Sequence, residues 1–322
     1  METVRLGRRG PLVSRFCLGL LPVSRLQSNL PHREAVRLVE EALEAGVTFF
    51  DTAELYDTYR LVREALRPPA VVATKAYAYT HEGMRRSLER ALRETRRECV
   101  DIFLLHEQES RLTLAGHAEA LRCLVEAREE GLVGAVGVST HAPEVVAAAA
   151  EMEEVDVIHP LLNHRGLGLL GGSLEEMLAA VEKAARAGKG VYAMKVLGGG
   201  HLAGTPAEAA EAFAFVRGLG HVHAVAIGCR SREELLVDIA LLEGREPPAD
   251  VAATLAGRRR RLFIETWCDG CGRCVEVCRY GALALGCDGD TGDRTKVRVD
   301  HQRCVLCGYC AAACPGFHIK VI

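Results

Sequence analysis

The chain has 322 residues, of which 49% are hydrophobic and 26% charged, and its formal net charge is −3. This is the composition of an ordinary folded protein, which excludes disorder, collagen-like repeats and coiled coil as the main architecture. The charge balance gives no electrostatic footprint for nucleic acid, and no apolar run reaches the roughly 18–20 residues of a membrane helix, so we expect neither partner.

Between residues 16 and 231 a short apolar run, a loop and an amphipathic helix follow one another repeatedly. The helical stretches place apolar residues on one face, as at Met84, Leu88 and Leu92. Eight apolar runs that begin roughly 20–35 residues apart predict parallel strands covered by helices, and hence a (β/α)8 TIM barrel. The runs are Phe16–Leu20, Val47–Phe50, Val71–Thr74, Val100–Leu105, Ala135–Val138, Val155–Ile158, Val191–Val196 and Ala224–Ile227.

A glycine motif favours a competing fold. Residues 166–171 read GLGLLG, which matches the G-x-G-x-x-G pattern of a doubly wound dinucleotide-binding fold. The motif falls in the sixth unit, however, and the following run GVYAMKVL ends in no acidic residue that would hold a ribose hydroxyl. We therefore interpret residues 166–171 as a loop at the mouth of the barrel.

The cysteines divide the chain in two. Of 13 cysteines, nine lie between positions 268 and 314, beyond a turn at GREPPAD. We expect a barrel domain at residues 1–260 and a small cysteine-rich domain at residues 261–322. An odd cysteine count on a chain whose first residues lack the apolar core of a secretion signal predicts a reducing, cytoplasmic location.

Eight of these cysteines form two runs with identical C-x2-C-x2-C-x3-C spacing. This is the bacterial two-cluster ferredoxin pattern, in which the fourth cysteine of each run ligates the other cluster. It predicts a small α+β ferredoxin-like domain with two [4Fe-4S] clusters, whereas a zinc site, with two C-x2-C pairs, fits poorly. Cys287 lies outside both runs and is expected to be a free thiol. The first ligand set is Cys268, Cys271, Cys274 and Cys314, and the second is Cys304, Cys307, Cys310 and Cys278.

Ionisable residues stand where predicted barrel strands end, which is the face on which barrel enzymes do their chemistry. Asp51 and Tyr56 follow the second strand, Lys75 ends the third and His106 ends the fourth. In this order and placement they resemble the catalytic tetrad of the aldo-keto reductase family, and the resemblance covers residues 1 to about 245. Each residue also has an ordinary structural interpretation, such as a loop cap or a buried Lys–Asp pair.

The resemblance implies reduction of a carbonyl group. Tyr56 would donate the proton, and Lys75, kept charged by Asp51, would lower the pKa of the tyrosine. His106 would donate a hydrogen bond to the carbonyl oxygen as negative charge develops there. A small carbonyl or alcohol compound is the substrate class that this chemistry implies.

The resemblance also implies a nicotinamide site, although the sequence departs from the family at His159, where glutamine is usual. Glu234 and Asp238 stand near the expected phosphate contacts, and carboxylates oppose a 2′-phosphate, so we expect NADH to be accepted at least as well as NADPH. The implied contacts are Ser139, Thr140 and Asn163 for the nicotinamide, and Arg230 and Ser231 for the phosphate.

Together these features predict an iron–sulfur oxidoreductase that interconverts a carbonyl and an alcohol, with electrons exchanged through two clusters and NAD(P)H. Nicotinamide passes two electrons as hydride and a cluster passes one, which leaves open a flavin as intermediary or clusters that are only structural. A redox partner protein would supply or accept the electrons. The alternative function is electron transfer or redox sensing on a barrel without catalysis.

Overall fold

The protein is described by a computed structural model that covers residues 1–255, 260–287, 295–315 and 318–321. Its strands are β1 (Thr3–Arg5), β2 (Leu12–Ser14), β3 (Phe16–Gly19), β4 (Phe49–Asp51), β5 (Val71–Ala76), β6 (Val100–Gln108), β7 (Val133–Thr140), β8 (Val157–Pro160), β9 (Gly190–Met194), β10 (Ala224–Ile227), β11 (Leu262–Ile264), β12 (Leu283–Cys287), β13 (Thr295–Val299) and β14 (Ile319–Val321). Its α-helices are α1 (His32–Glu44), α2 (Tyr59–Ala65), α3 (His81–Thr95), α4 (Arg111–Gly116), α5 (Ala118–Glu129), α6 (Pro143–Ala149), α7 (Leu174–Arg186), α8 (Pro206–Gly218), α9 (Arg232–Leu242), α10 (Ala249–Leu255), α11 (Arg273–Glu276) and α12 (Tyr309–Ala313).

Strands β3 to β10 form a closed parallel barrel in which each strand pairs with the next and β10 pairs back with β3. Each strand coincides with or overlaps one of the eight predicted apolar runs, so the predicted barrel is confirmed and the doubly wound alternative is wrong. The runs are almost wholly apolar because one side of each strand faces the barrel interior and the other faces the helices. None of the helices in the described part of the chain is long and apolar enough to cross a membrane.

The hairpin β1–β2 covers the amino-terminal end of the barrel, an element that the sequence analysis did not anticipate. Leu6 and Val13 belong to the same buried cluster as Phe49 and Tyr192 inside the barrel. At Gly7 the backbone has a φ of +64° and an added Cβ would lie 2.3 Å from the backbone nitrogen of Gly190, so glycine is required for this close approach. The opposite, carboxyl-terminal end carries the ionisable residues.

The GLGLLG segment is part of the loop between β8 and α7, as expected. Gly166 and Gly168 have φ values of +63° and +87°. Helix α7 begins only at Leu174, and the Ser173 side chain caps it by accepting a hydrogen bond from the backbone of Glu176. The motif therefore does not lie on a helix amino terminus, where it would have to be to bind a pyrophosphate.

The C-terminal part has two antiparallel strand pairs, β11–β14 and β12–β13, and two short helices, α11 and α12. Its apolar core includes five buried cysteines, because so few residues cannot form a large core from ordinary side chains. This arrangement agrees with a ferredoxin-like domain, while the boundary at residues 260 and 261 stays a prediction. The buried cysteines are Cys268, Cys274, Cys304, Cys310 and Cys314.

Candidate active site

A buried ion pair forms the base of the site at the carboxyl-terminal end of the barrel. The Lys75 ammonium lies 2.6 and 2.8 Å from the two carboxylate oxygens of Asp51 and donates a third hydrogen bond, of 2.8 Å, to the Thr52 carbonyl. The Tyr192 hydroxyl donates to Asp51 Oδ2 at 3.0 Å. Because both charges are fully paired and hydrogen-bonded, they are tolerated in a site from which water is excluded.

Tyr56 and His106 lie directly above this pair. A short 3-10 helix, Glu54–Tyr56, follows β4 and directs the Tyr56 ring inward, and Asp57 ends it in a left-handed conformation. The Tyr56 ring centroid is 5.2 Å from the Lys75 ammonium and 5.9 Å from the His106 ring, which it meets edge-on. The structure thus brings together all four residues that the sequence placed at separate strand ends.

The protonation of these groups corrects one expectation. Burial raises the pKa of Tyr56 well above its ordinary value, and the negative charge of Asp51 adds to the shift. Lys75 does not reverse this effect, because its ammonium is already engaged by Asp51 and Thr52. Burial, with a smaller effect of Lys75, lowers the pKa of His106 well below its ordinary value. Tyr56 is therefore a neutral phenol that can donate a proton, and His106 is a neutral imidazole that can donate one hydrogen bond.

A cavity of about 180 Å³ opens above the four residues, and the C-terminal part of the chain forms one of its walls. Leu306 and Tyr309, both from the second cysteine run, line it together with Tyr56 and His106. The Tyr309 ring lies 6.5 Å from the His106 ring and its hydroxyl hydrogen-bonds with Tyr77, which stacks on His106 at 4.2 Å. The cysteine-rich part of the chain is thus in contact with the cavity that holds the four strand-end residues.

Several polar contacts hold the segment that follows the first cysteine run against the barrel, and the sequence analysis did not predict them. Glu107 follows His106 at a shift in the β6 register, with a φ of +47°, and is buried. Its carboxylate accepts a 2.6 Å hydrogen bond from Tyr77 and lies 3.5 Å from the Arg279 guanidinium. His141 Nδ1 lies 2.8 Å from the Tyr280 hydroxyl. The sequence signal for Glu107 was an acidic residue directly after the strand-end residue His106.

The predicted nicotinamide contacts are only partly available. Ser139 lines the cavity, but its hydroxyl accepts a 2.8 Å hydrogen bond from the Glu107 backbone. The Thr140 hydroxyl donates to the Gln108 carbonyl at 2.6 Å. Asn163 is buried beneath the β8–α7 loop, where its amide makes four hydrogen bonds to backbone groups, two as donor and two as acceptor. Neither Thr140 nor Asn163 is among the cavity-lining residues.

The predicted phosphate contacts are engaged with one another. Ser231 caps α9 and accepts a hydrogen bond from the Glu234 backbone. The Glu234 carboxylate accepts from the Arg230 backbone at 2.7 Å and from the Arg260 guanidinium at 2.6 Å, and it also pairs with the Arg230 side chain at 3.2 Å. Burial alone would raise the pKa of Glu234, but the two guanidinium groups hold it below its ordinary value. The Glu234 carboxylate therefore lies between two guanidinium groups and engages both.

The fourth cysteine of each run lies near cysteines of the other run, and crosswise ligation itself stays a prediction. Burial raises the pKa of Cys274 to about 11, and the neighbouring thiol of Cys314 adds to the shift. Burial likewise raises the pKa of Cys304 to about 11, with a contribution from Cys278. Cys314 thus lies beside the first run and Cys278 beside the second, which fits two cubane clusters that share the runs. Within the described residues, no group of His, Cys, Asp or Glu side chains could hold a single metal ion. The Cys287 side chain is not among the described ones.

An eight-stranded barrel with a Lys–Asp pair, a tyrosine and a histidine at its mouth, capped by a cysteine-rich domain, defines a class of barrel proteins built for redox chemistry. Residues 15–234 match the model of the aldo/keto reductase family, and residues 267–316 match that of a 4Fe-4S dicluster domain. The chain belongs to the aldo/keto reductase family, as its strand-end residues predicted, and carries a 4Fe-4S domain after the barrel.

Known proteins are similar to the barrel. Methylglyoxal reductase DkgA of Escherichia coli K12 is 25% identical over 178 residues, which cover 52% of this chain and 64% of that protein. An uncharacterized oxidoreductase of Bacillus subtilis, YrpG, is 29% identical over 233 residues, or 63% of this chain and 69% of that one. The structure of aldo-keto reductase AKR11C1 from Bacillus halodurans superposes with a TM-score of 0.63 at 18% identity, over 80% of this chain and 96% of that one, which shows the shared fold.

Proposed function

We propose that the protein interconverts a small carbonyl compound and an alcohol in the barrel cavity, and that two [4Fe-4S] clusters exchange electrons with that cavity. The observation that carries this proposal is the shared wall: Leu306 and Tyr309 of the second cysteine run line the cavity that holds Tyr56 and His106. A domain that served only to stabilise the fold would have no need to lie against the reacting groups.

The barrel residues supply the acid chemistry. Tyr56, held as a neutral phenol, gives its proton to the carbonyl oxygen, while the His106 imidazole donates a hydrogen bond to the same atom. The Lys75 ammonium lies beneath the Tyr56 ring and stabilises the phenolate left after proton transfer. Asp51, fixed by Tyr192, holds the ammonium in this position.

The number of electrons and protons that the reaction consumes determines which donors the cavity needs. Reduction of a carbonyl to an alcohol consumes two electrons and two protons. When bound, a reduced nicotinamide would supply two electrons and one proton as hydride, and a cluster would supply one electron. The eight cysteines of the two ligand sets would hold the clusters. A flavin would be able to pass electrons between a two-electron nicotinamide and a one-electron cluster. A redox partner protein would exchange electrons with the cluster domain.

The residues of the predicted phosphate site pair with one another, which favours NADH over NADPH. Glu234 already pairs with both Arg230 and Arg260, so a 2′-phosphate would meet a carboxylate instead of free guanidinium groups. The same observation favours a second candidate function, in which the barrel binds no nicotinamide and the protein transfers electrons or senses redox state.

An anaerobic titration separates the two functions. The holoprotein is mixed with NADH or NADPH, with and without added flavin, while cluster absorbance and loss of a small aldehyde are followed. We expect NADH to bleach the clusters or to reduce the aldehyde. If neither nucleotide nor chemically reduced clusters reduce any carbonyl compound tested, the catalytic proposal is wrong and the electron-transfer function stands.

A further inference from the structure

Lys195 is a cation in the cavity that the proposed chemistry does not use. It follows β9 directly and has a φ of +57°, a left-handed conformation that a non-glycine residue adopts at a cost of about 1 kcal/mol or more. Only six of the 40 basic residues of the chain are lysines, and two of them, Lys75 and Lys195, line the cavity. A strained lysine at this place calls for a specific role.

The Lys195 ammonium is not paired with a carboxylate in the part of the chain that the structure describes. Among the described residues, three cationic side chains line the cavity. Lys75 pairs with Asp51 and Arg260 pairs with Glu234. By contrast, no carboxylate in the described part of the chain lies within 4 Å of the Lys195 ammonium. A partly buried, unpaired cation is unfavourable unless a negative charge is brought to it.

The loop that begins at Lys195 lies against the second cysteine run. The His201 ring hydrogen-bonds with the Cys304 carbonyl. At Gly199 an added Cβ would lie 2.5 Å from the Val305 carbonyl oxygen, so this loop and the run are in direct backbone contact. Lys195, Leu306 and Tyr309 line the same cavity. Lys195 therefore lies where the cavity meets the second cysteine run.

The other basic groups at this place are either paired or uncharged. Arg279 follows the ligand Cys278, but its guanidinium lies 2.6 Å from Glu109 and 3.5 Å from Glu107. His141, which also lines the cavity, is uncharged because burial lowers its pKa well below the ordinary value. Among the described residues, Lys195 is thus the cation of the cavity that pairs with no carboxylate, and it lies where the second run closes the cavity.

We propose that Lys195 is the counter-charge of the cluster held by Cys304, Cys307, Cys310 and Cys278, and that it raises the reduction potential of that cluster. Reduction adds a negative charge to a cluster, and a cation nearby stabilises the reduced form. The added electron then resides on the cluster at the wall of the cavity rather than on the cluster of the first ligand set. This inference depends on the two-cluster part of the proposed function, but not on carbonyl reduction.

The test is a potentiometric titration of the anaerobically prepared holoprotein, with the clusters followed by low-temperature electron paramagnetic resonance. We expect Lys195→Gln to lower the equilibrium constant for reduction of one cluster at least tenfold, which is 59 mV for a one-electron couple. Lys195→Arg keeps the charge and should stay within about threefold of wild type. Lys183→Gln, which removes an exposed lysine paired with Glu151, is the matched control and should change nothing.

Iron and sulfide analysis precedes each titration, so that two kinds of failure are distinguished. Fewer than eight irons per wild-type chain overturns the two-cluster proposal itself. With eight irons present, an unchanged potential in Lys195→Gln overturns the role of Lys195 alone. If the glutamine variant loses iron, Lys195→Met, which keeps an unbranched stem, takes its place. A raised KM for pyruvate relative to a neutral aldehyde, at unchanged potential, would assign Lys195 to substrate binding instead.

Discussion

Glu234 offers a direct test of how this barrel treats a nucleotide phosphate. The perturbation is Glu234→Gln, which removes one negative charge with almost no change of shape. In the structure this carboxylate is bound by Arg260 at 2.6 Å and Arg230 at 3.2 Å, and its side chain is only 14% exposed. The variant would leave both guanidinium groups free to meet the 2′-phosphate of NADPH, which NADH lacks.

The size of the effect follows from Coulomb's law. Two unit charges 4 Å apart at an effective permittivity of about 20 interact by about 4 kcal/mol, and by about half as much at twice the distance. Screening by solvent at the cavity mouth reduces this further. We therefore expect the ratio of NADPH to NADH affinity to rise about 10- to 100-fold, which corresponds to about 1.4–2.8 kcal/mol.

The assay is a pair of matched binding titrations with NADH and NADPH, on wild type and variant at the same ionic strength. Glu119→Gln, which removes a carboxylate from an exposed pair with Arg122, controls for the change in net charge. Breaking a buried pair costs up to a few kcal/mol of stability, so thermal unfolding is measured alongside. A nucleotide ratio within threefold of wild type in a folded variant would refute the reasoning.

Three further outcomes are expected. Tyr56→Phe should lower carbonyl turnover by a factor on the order of 100 with iron content unchanged. The control Tyr79→Phe changes an exposed tyrosine and should have no effect. Near-normal turnover in Tyr56→Phe would remove Tyr56 from the mechanism. Cys314→Ser should damage the cluster of the first ligand set, and Cys287→Ser should damage neither cluster, as measured by iron analysis and electron paramagnetic resonance. Damage to the second cluster in Cys314→Ser, with the first cluster intact, would exclude crosswise ligation. Burial raises the pKa of Asp238 from 3.8 to about 7, so the folded state loses stability as pH rises toward and through 7. The Asp238→Asn variant should therefore unfold at a higher temperature than wild type at pH 8, and the rise in unfolding temperature should be much smaller at pH 5. An equal rise at both pH values would show that this carboxyl does not titrate between pH 5 and pH 8.

Much of the fold was predictable because it depends on local patterns. Near-continuous apolar runs such as Val100–Leu105 can only be strands covered on both faces, and eight of them with intervening helices close into a barrel. The carboxyl ends of parallel strands meet at one rim, so Asp51, Lys75 and His106 were bound to lie near one another wherever the loops ran. The cysteine spacing likewise encodes its own ligand geometry, independently of the barrel.

The electrostatics of the site were not predictable in the same way. The sequence suggested that Lys75 would lower the pKa of Tyr56, but burial dominates and raises it. Nothing in the sequence showed that Arg260, from the segment that leads into the cysteine-rich part, would reach Glu234. Such outcomes depend on which atoms lie within a few ångströms, and residues far apart in the chain decide that.

The sequence by itself determined the barrel, the strand-end residues and the two cysteine runs, because periodicity and short-range spacing suffice for each. Only the tertiary structure decided that the second run closes the candidate cavity, with Tyr309 beside His106 and the loop that begins at Lys195 packed against that run. That placement depends on how two surfaces fit together, through contacts such as those of Tyr77 with Tyr309 and of His201 with Cys304. Complementarity between surfaces distant in sequence leaves no periodic signal along the chain.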